Sequence, residues 1–144
     1  MDVISRRLLF RIGTVGFYLE LSELVEIREQ IADLIDCRQV DQQLSVVGAL
    51  TFRKTLIPVV DLSSRLSISS VSPDIVLVLN SLDGNWGLLV DRVEGFYSAT
   101  EMIDRSVPDL LQEGGWRCFD LISTYEGHPF LKLNLSACYS GTGR

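Results

Sequence analysis

Apolar residues recur at every second position in several stretches of this chain, and that period is typical of β-strands. Four antiparallel pairs of strands are predicted, covering residues 8–12 with 17–21, 48–52 with 56–62, 75–79 with 86–90, and 118–125 with 130–135. The connecting segments 13–16, 53–55, 83–85 and 126–129 carry the glycine, proline or polar residues that turns favour. The pattern therefore predicts an all-β fold of hairpins, with far more strand than helix.

Two strand pairs carry further information about their surroundings. The third pair is apolar at nearly every position, from Ile75 to Leu79 and from Trp86 to Val90, which predicts burial on both faces. Pro58 falls inside the second strand of the second pair. Because its nitrogen cannot donate a hydrogen bond, we expect Pro58 on an edge strand or at a bulge.

Helical signals are weaker than strand signals. Within residues 22–36 the apolar positions suit either a helix or a strand, so we predict a short helical turn followed by irregular or extended chain. The sequence Ser106-Val107-Pro108-Asp109 forms a capping box, and Gly114 offers a stop, which predicts a two-turn helix over 107–113. The serine-rich segment 63–73 is the one plausible internal junction in a single domain over residues 1–144.

Composition and charge narrow the class of protein. With 144 residues, 47% of them hydrophobic, the chain fits one soluble globular domain with a sizeable core. Nineteen acidic side chains against 13 basic ones leave a net charge of −6, which argues against nucleic acid as a partner. The longest apolar runs are far shorter than the roughly 20 residues of a membrane-spanning helix, so no direct membrane insertion is predicted.

The cysteines point to a reducing compartment and away from a metal site. Cys37, Cys118 and Cys138 include no CxxC pair and cannot all close into disulfides within the chain, which fits a cytoplasmic protein. A zinc site would need all three cysteines and the only histidine, His128, to converge from distant positions. We therefore predict no metal and no cofactor.

The motifs of common catalytic sites are missing from the sequence. Residues 13–16 lack the third glycine of a dinucleotide-binding loop, and Lys54-Thr55 lacks the upstream glycines of a phosphate-binding loop. His128 stands beside Pro129 in a predicted turn, where a solvated side chain is the simplest interpretation. The sequence thus predicts a protein that is not an enzyme.

Two sets of residues have two interpretations each. The acidic residues at every third position would lie along one side of a helical turn, either as a solvated face or as a recognition edge: Glu20, Glu23, Glu26 and Glu29. The two tryptophans, Trp86 and Trp116, fit either the core or an exposed binding spot. The sequence alone leaves both questions open.

Short motifs follow one another in an informative order along residues 8–139. The first four are Leu9-Phe10-Arg11-Ile12-Gly13, Phe17-Tyr18-Leu19, Val25-Glu26-Ile27-Arg28 and Gly48-Ala49-Leu50-Thr51-Phe52-Arg53. The most specific are Pro58-Val59-Val60-Asp61-Leu62 and, about 25 residues later, Gly87-Leu88-Leu89-Val90-Asp91-Arg92-Val93. In order and spacing this series resembles the CheW family of chemotaxis adaptors.

The resemblance implies both a fold and a function. The fold would be two intimately packed five-stranded SH3-like β-barrels with one or two short helices, which agrees with the predicted hairpins. The function would be a non-enzymatic adaptor that couples the regulatory domain of a CheA-type histidine kinase to the cytoplasmic tip of methyl-accepting chemoreceptors in a signalling array.

The resemblance also assigns roles to individual residues. Glu26 and Arg53 match positions at or near the receptor-facing groove of the family, Leu24 matches a neighbouring apolar position, and Lys54 follows Arg53 directly. These four residues are the receptor-binding candidates. A second set belongs to the structural motifs and is expected to serve the backbone and the strand geometry: Gly48, Pro58, Asp61, Gly87 and Asp91.

The chain departs from the family pattern near the candidate groove. Lys54 stands where the family usually has glycine, residues 31–47 contain no proline, and residues 117–120 replace a commonly found glycine. These departures keep an alternative open, in which the chain is a divergent scaffold or regulator of a non-flagellar pathway such as surface motility. A small-molecule-binding β-barrel is the least favoured interpretation.

Overall fold

The computed structural model describes residues 5–31, 34–38, 40, 46–63, 65–69, 73–81, 84–107, 119 and 121–134. These residues form eleven strands and two three-residue 3-10 turns, at Leu21–Glu23 and Ala99–Glu101. The strands are β1 Arg6–Ile12, β2 Val15–Glu20, β3 Leu24–Glu29, β4 Val46–Phe52, β5 Thr55–Val60, β6 Ile75–Ser81, β7 Gly84–Val90, β8 Arg92–Ser98, β9 Ile103–Ser106, β10 Leu121–Tyr125 and β11 His128–Lys132. The prediction of far more strand than helix is confirmed.

The strands form two sheets that share the same arrangement, one sheet for each of the two barrels. The six-stranded sheet has the order β8-β1-β2-β11-β10-β9, and the five-stranded sheet has the order β3-β6-β7-β5-β4. Each sheet contains two hairpins joined by one parallel pair, β2 with β11 in the first and β5 with β7 in the second. The hairpin β10–β11 is thus the counterpart of β4–β5, and β9 is the additional strand.

The chain crosses between the sheets twice. It leaves the six-stranded sheet after β2 and returns to it at β8, so β3 to β7 build the whole five-stranded sheet. The serine-rich segment 63–73 connects β5 to β6, and both of these strands belong to the five-stranded sheet. The two crossings between sheets lie elsewhere in the chain, at β2–β3 and β7–β8.

Three apolar clusters account for most of the burial among the described residues. The central cluster takes side chains from both sheets, among them Phe10 and Phe17 from one sheet and Leu77 and Trp86 from the other. Each sheet also has a cluster of its own, around Val76, Val78 and Leu50 in the five-stranded sheet and around Leu9, Tyr18 and Phe130 in the six-stranded sheet. The two barrels therefore share one core.

Strand β6 illustrates why the third hairpin is apolar at nearly every position. Successive side chains of a strand point to opposite faces, so Leu77 and Leu79 enter the central cluster while Val76 and Val78 enter the barrel's own cluster. The predicted burial on both faces is confirmed. Trp86 is completely buried in the central cluster, which identifies it as a core residue, whereas Trp116 lies outside the described residues.

Pro58 lies on an interior strand and outside the bulge of β4, so the prediction of an edge or bulge position is wrong. Strand β5 has β7 on one side and β4 on the other. Opposite Pro58 is Ala49, whose N–H and C=O are both hydrogen-bonded to Asp36 at 3.0 and 2.7 Å. Pro58 therefore occupies a non-hydrogen-bonded pair with β4, and its nitrogen faces β7 on the other side, where the parallel register begins only at Val59. The nearby bulge of β4 lies between Val46 and Gly48.

Two further local predictions need correction. The predicted short helical turn followed by extended chain is confirmed by the 3-10 turn and β3, but the acidic residues of 20–29 are distributed over β2, that turn and β3 and form no helical stripe. The last hairpin turns at Glu126-Gly127, and His128 and Pro129 are the first residues of β11. The helix predicted over 107–113 falls almost wholly outside the described residues.

The residues of the structural motifs hold strands and turns close together. A Cβ atom on Gly48 would lie 2.4 Å from Ile35 Cγ2 and 2.9 Å from the carbonyl oxygen of Asp36, and one on Gly87 would lie 2.7 Å from Val76 Cγ1. Asp61 Oδ1 accepts a hydrogen bond from the backbone N–H of Ser63 at 2.9 Å. Asp91 accepts one from the N–H of Gly13, which ties the β7–β8 connection to the first hairpin turn.

Candidate functional site

The tip of the hairpin β4–β5 carries two of the candidate residues. Phe52 pairs with Thr55, so Arg53 and Lys54 are the two central residues of the turn. Their φ angles are +50° and +68°, the combination that a type I′ turn requires. Both side chains are exposed. A left-handed backbone costs a residue with a Cβ atom about 1 kcal/mol, so this turn is strained at both positions.

Phe52 lies at the centre of the site and is covered by two arginines. Its ring is 2% exposed, and the guanidinium carbons of Arg53 and Arg28 lie 4.8 and 5.7 Å from its centroid. Arg28 in β3 also forms an ion pair with Glu26 and donates a hydrogen bond to the carbonyl oxygen of Thr51 at 3.5 Å. We refer to Glu26, Arg28, Phe52 and Arg53 as the barrel-end cluster.

The cluster brings together two of the predicted receptor-binding residues. Glu26 and Arg53 come from the edge strand β3 and from the hairpin tip, and Arg28 and Phe52 link them. Leu24 is not part of the cluster, because it is half-buried and packs against the central apolar cluster. Arg28 and Phe52 were not singled out from the sequence, although both stand inside motifs of the family resemblance.

The surface around the hairpin tip combines two positive charges with one apolar side chain. The charge of Arg28 is balanced by Glu26, whereas no ion pair joins Arg53 or Lys54 to another described residue. Leu56, at the start of β5, is 56% exposed and lies opposite the exposed Thr51. In a chain with a net charge of −6, this tip is a local cationic surface.

A second polar cluster lies inside the six-stranded barrel and was not predicted. The side chain of Arg7 in β1 is only 10% exposed, and its two terminal nitrogens donate to both carboxylate oxygens of Asp104 in β9 at 2.7 and 2.8 Å. Its Nε donates to Glu20 at 3.0 Å, and its guanidinium carbon lies 4.6 Å from the centroid of the Tyr18 ring. Ser123 in β10 donates to Asp104 at 2.6 Å.

These contacts indicate that Arg7 and its partners stabilise the barrel rather than bind another molecule. Arg7 joins β1 and β2 to β9, which is the far edge strand of the sheet order, and so holds the curled sheet closed. The hydrogen bond from Arg7 is the main cause that lowers the pKa of Asp104 to about 2, with burial acting in the opposite direction. The same hydrogen bond is the main cause that raises the pKa of Arg7.

The low pKa of Asp104 predicts that the stability of the fold decreases at acidic pH. Because the pKa is near 2 in the folded protein and near 3.8 otherwise, this carboxylate stabilises the fold above about pH 4, and the contribution is lost as the pH falls toward 2. We expect the free energy of unfolding of Asp104→Asn to fall less steeply than that of the wild type over this range. Urea denaturation at several pH values measures the difference. Parallel curves for the two proteins would contradict the assignment.

The described residues offer little else for chemistry. His128 is exposed at the start of β11, and Cys37 is an exposed free thiol. No group of three or more His, Cys, Asp or Glu side chains within the described ranges is placed to hold a metal ion. Among the same residues, no helix is both long and apolar enough to cross a membrane.

The sequence matches the model of a known protein family over most of its length. The model of the CheW-like domain matches residues 6–109, which contain the first nine strands, the hairpin tip and the whole barrel-end cluster. The chain belongs to the CheW-like domain family. No curated protein matches it.

A solved structure agrees with the fold of this CheW-like domain. The scaffolding protein TtCheW from Thermoanaerobacter tengcongensis is similar with a TM-score of 0.79 and 15% sequence identity. The similarity covers 99% of this chain and 97% of that protein. At this level of identity the comparison supports the fold, and it confirms the predicted arrangement of two SH3-like barrels.

Proposed function

We propose that this CheW-like domain is a non-enzymatic adaptor of a chemosensory signalling array. It would couple the regulatory domain of a CheA-type histidine kinase to the cytoplasmic tip of methyl-accepting chemoreceptors. Membership of the CheW-like family over residues 6–109 is the observation that carries this proposal. The shared core supports it as well, because it gives a scaffold with two barrel surfaces held together.

We assign the barrel-end cluster, together with the neighbouring residues Lys54 and Leu56, to the receptor. A receptor helix would place an apolar side chain near Leu56, while Arg53, Lys54 and the Glu26–Arg28 pair line the rim of the contact. Charges at the rim of an interface set its register and association rate more than its affinity. Leu24 would act indirectly, by anchoring the start of β3 against the core. The kinase would use a different surface.

One observation favours a second candidate function. Lys54 stands in the left-handed position where the family usually has glycine, so the hairpin tip differs from the family pattern at the proposed receptor surface. This difference suits a divergent scaffold or regulator of a non-flagellar pathway, such as surface motility. The fold and the mode of docking would be the same in both cases, and only the receptor would differ.

Arg53→Glu tests the assignment of the receptor surface. We expect this variant to bind a receptor tip fragment more weakly, mainly through slower association, because the substitution reverses one of the two unpaired charges at the tip. We expect the affinity for the kinase regulatory domain to change less than twofold. The loss of the contact between Arg53 and the Phe52 ring should cost about 0.5–1 kcal/mol of stability, which leaves the protein folded. Titration calorimetry against each partner measures both affinities.

The control separates a binding effect from a folding effect. Arg53→Gln removes the charge without reversing it, and thermal unfolding of both variants reports how much the barrel end is weakened. Equal weakening toward both partners, or a large drop in thermal stability, would mean that Arg53 is structural and that the receptor surface lies elsewhere. If the wild type binds neither partner at micromolar concentration, the adaptor function is wrong while the fold stands.

A further inference from the structure

Lys54 occupies a backbone position that is unfavourable for lysine. It is the second central residue of the β4–β5 turn, with a φ angle of +68°. Type I′ turns favour Asn-Gly or related pairs, because glycine adopts this left-handed conformation without a steric penalty. Arg53-Lys54 has glycine at neither position. The turn is therefore less stable than its geometry allows.

The six-stranded barrel contains the same turn with the favourable residue. In the counterpart hairpin β10–β11, Tyr125 pairs with His128 across the central residues Glu126 and Gly127. Their φ angles are +49° and +80°, so glycine occupies the position equivalent to Lys54. The barrel architecture thus accepts glycine here, and the fold gives no reason for lysine at position 54.

The contacts of Lys54 within the protein do not offset this strain. Its side chain is exposed, and no ion pair connects it to another residue in the described part of the chain. The neighbouring cation, Arg53, is held against the ring of Phe52, whereas no such ring contact is found for the exposed Lys54 among the described residues. Residues held in strained backbone conformations cluster at active sites and ligand-binding sites.

We propose that Lys54 is a specificity contact that binds a carboxylate of the partner docked at the barrel-end cluster. The inference rests on the proposed adaptor function and adds the chemistry of the partner. Arg53 and Lys54 provide two neighbouring cations, and Leu56, two residues after Lys54 in the chain, provides an exposed apolar side chain. The matching partner is an amphipathic receptor segment with at least one acidic residue at the edge of its apolar face.

Lys54→Gly separates stability from binding, because the two should change in opposite directions. We expect the midpoint of thermal unfolding to rise by about 2–4 °C as the strain is removed. We expect the affinity for a receptor tip fragment to fall about three- to fivefold at low salt, with a smaller difference at high salt because the lost contact is ionic. The affinity for the kinase regulatory domain should remain unchanged.

Three further variants show whether the charge of Lys54 or its backbone conformation causes these changes in binding and stability. Lys54→Asn tolerates the left-handed backbone without a charge, so it should weaken receptor binding like Lys54→Gly. Lys54→Arg keeps the charge and the strain, so it should behave like the wild type in both measurements. Arg105→Gln removes an exposed cation from β9 of the other barrel and should leave receptor binding unchanged.

The possible failures are distinguishable. If Lys54→Gly binds the receptor fragment as tightly as the wild type while Arg53→Glu still weakens binding, the role of Lys54 is wrong and the adaptor function stands. A lower midpoint of thermal unfolding for Lys54→Gly would overturn the argument from strain. If the wild type binds neither the receptor fragment nor the kinase domain, the proposed function fails, and the inference about Lys54 fails with it.

Discussion

Arg7→Met is expected to lower the free energy of unfolding by about 3 kcal/mol. Removing one partner of a buried ion pair leaves the other partner uncompensated, at a cost of about 3–5 kcal/mol. The lower end applies here, because the side chains of Asp104 and Glu20 are 44% and 24% exposed and regain part of their hydration. Methionine keeps most of the apolar stem of Arg7, so little packing is lost.

Urea denaturation at pH 7 measures this effect, and the chain offers a matched control. Arg92 forms an ion pair with Glu94, but its side chain is 64% exposed. An exposed pair contributes little, so Arg92→Met should change stability by less than about 1 kcal/mol. A second variant, Asp104→Leu in the Arg7→Met background, should recover part of the loss. Equal losses for Arg7→Met and Arg92→Met would refute the closing role of Arg7.

Trp86→Leu is expected to cost roughly 2–3 kcal/mol, because it removes volume from the core that the two barrels share. Trp86 is completely buried among residues of both sheets. Truncating a large buried aromatic side chain loses both transfer energy and packing around the cavity that remains. Since both sheets contribute to this core, we also expect one cooperative unfolding transition for the whole protein rather than one for each barrel.

Circular dichroism during urea denaturation measures the loss of stability in Trp86→Leu. It also shows whether the protein unfolds in one transition or in two. Leu56→Ala is the control, since Leu56 is 56% exposed and its truncation should change stability by less than about 0.5 kcal/mol. If Trp86→Leu proves too unstable to study, Trp86→Phe gives the same test with a smaller loss. A loss below about 1 kcal/mol for Trp86→Leu, or two separate transitions in the wild type, would contradict a single shared core.

Local patterns determined the hairpins of this protein. The three hairpins before residue 91 follow from alternation and turn residues, because cross-strand pairing within a hairpin involves residues that are close in sequence. The third hairpin also revealed its burial, since a strand buried on both faces must be apolar at nearly every position. The family motifs identified Glu26 and Arg53, which the structure brings to one end of the five-stranded barrel.

Features that depend on contacts between distant segments could not be predicted from these local patterns. Pro58 fits an interior strand because Ala49, opposite to it, is hydrogen-bonded to Asp36 in a separate segment, and because the pairing with β7 begins only at Val59. Arg53 and Lys54 both have positive φ angles although neither is glycine. The sequence of this turn does not predict that backbone conformation. In the same way, alternation along one strand does not reveal that β2 pairs in parallel with β11 or β5 with β7.

Arg7 is the clearest example of a residue that only the tertiary structure explains. In the sequence it follows Arg6 at the start of a strand, a place where a charged side chain is normally solvated. Its partner Asp104 is 97 residues away, on the far edge strand of the same sheet. Alternation of apolar and polar residues determines which stretches become strands, because it acts between near neighbours. Closure of the barrel determines which charges become buried, because it depends on where distant strands meet.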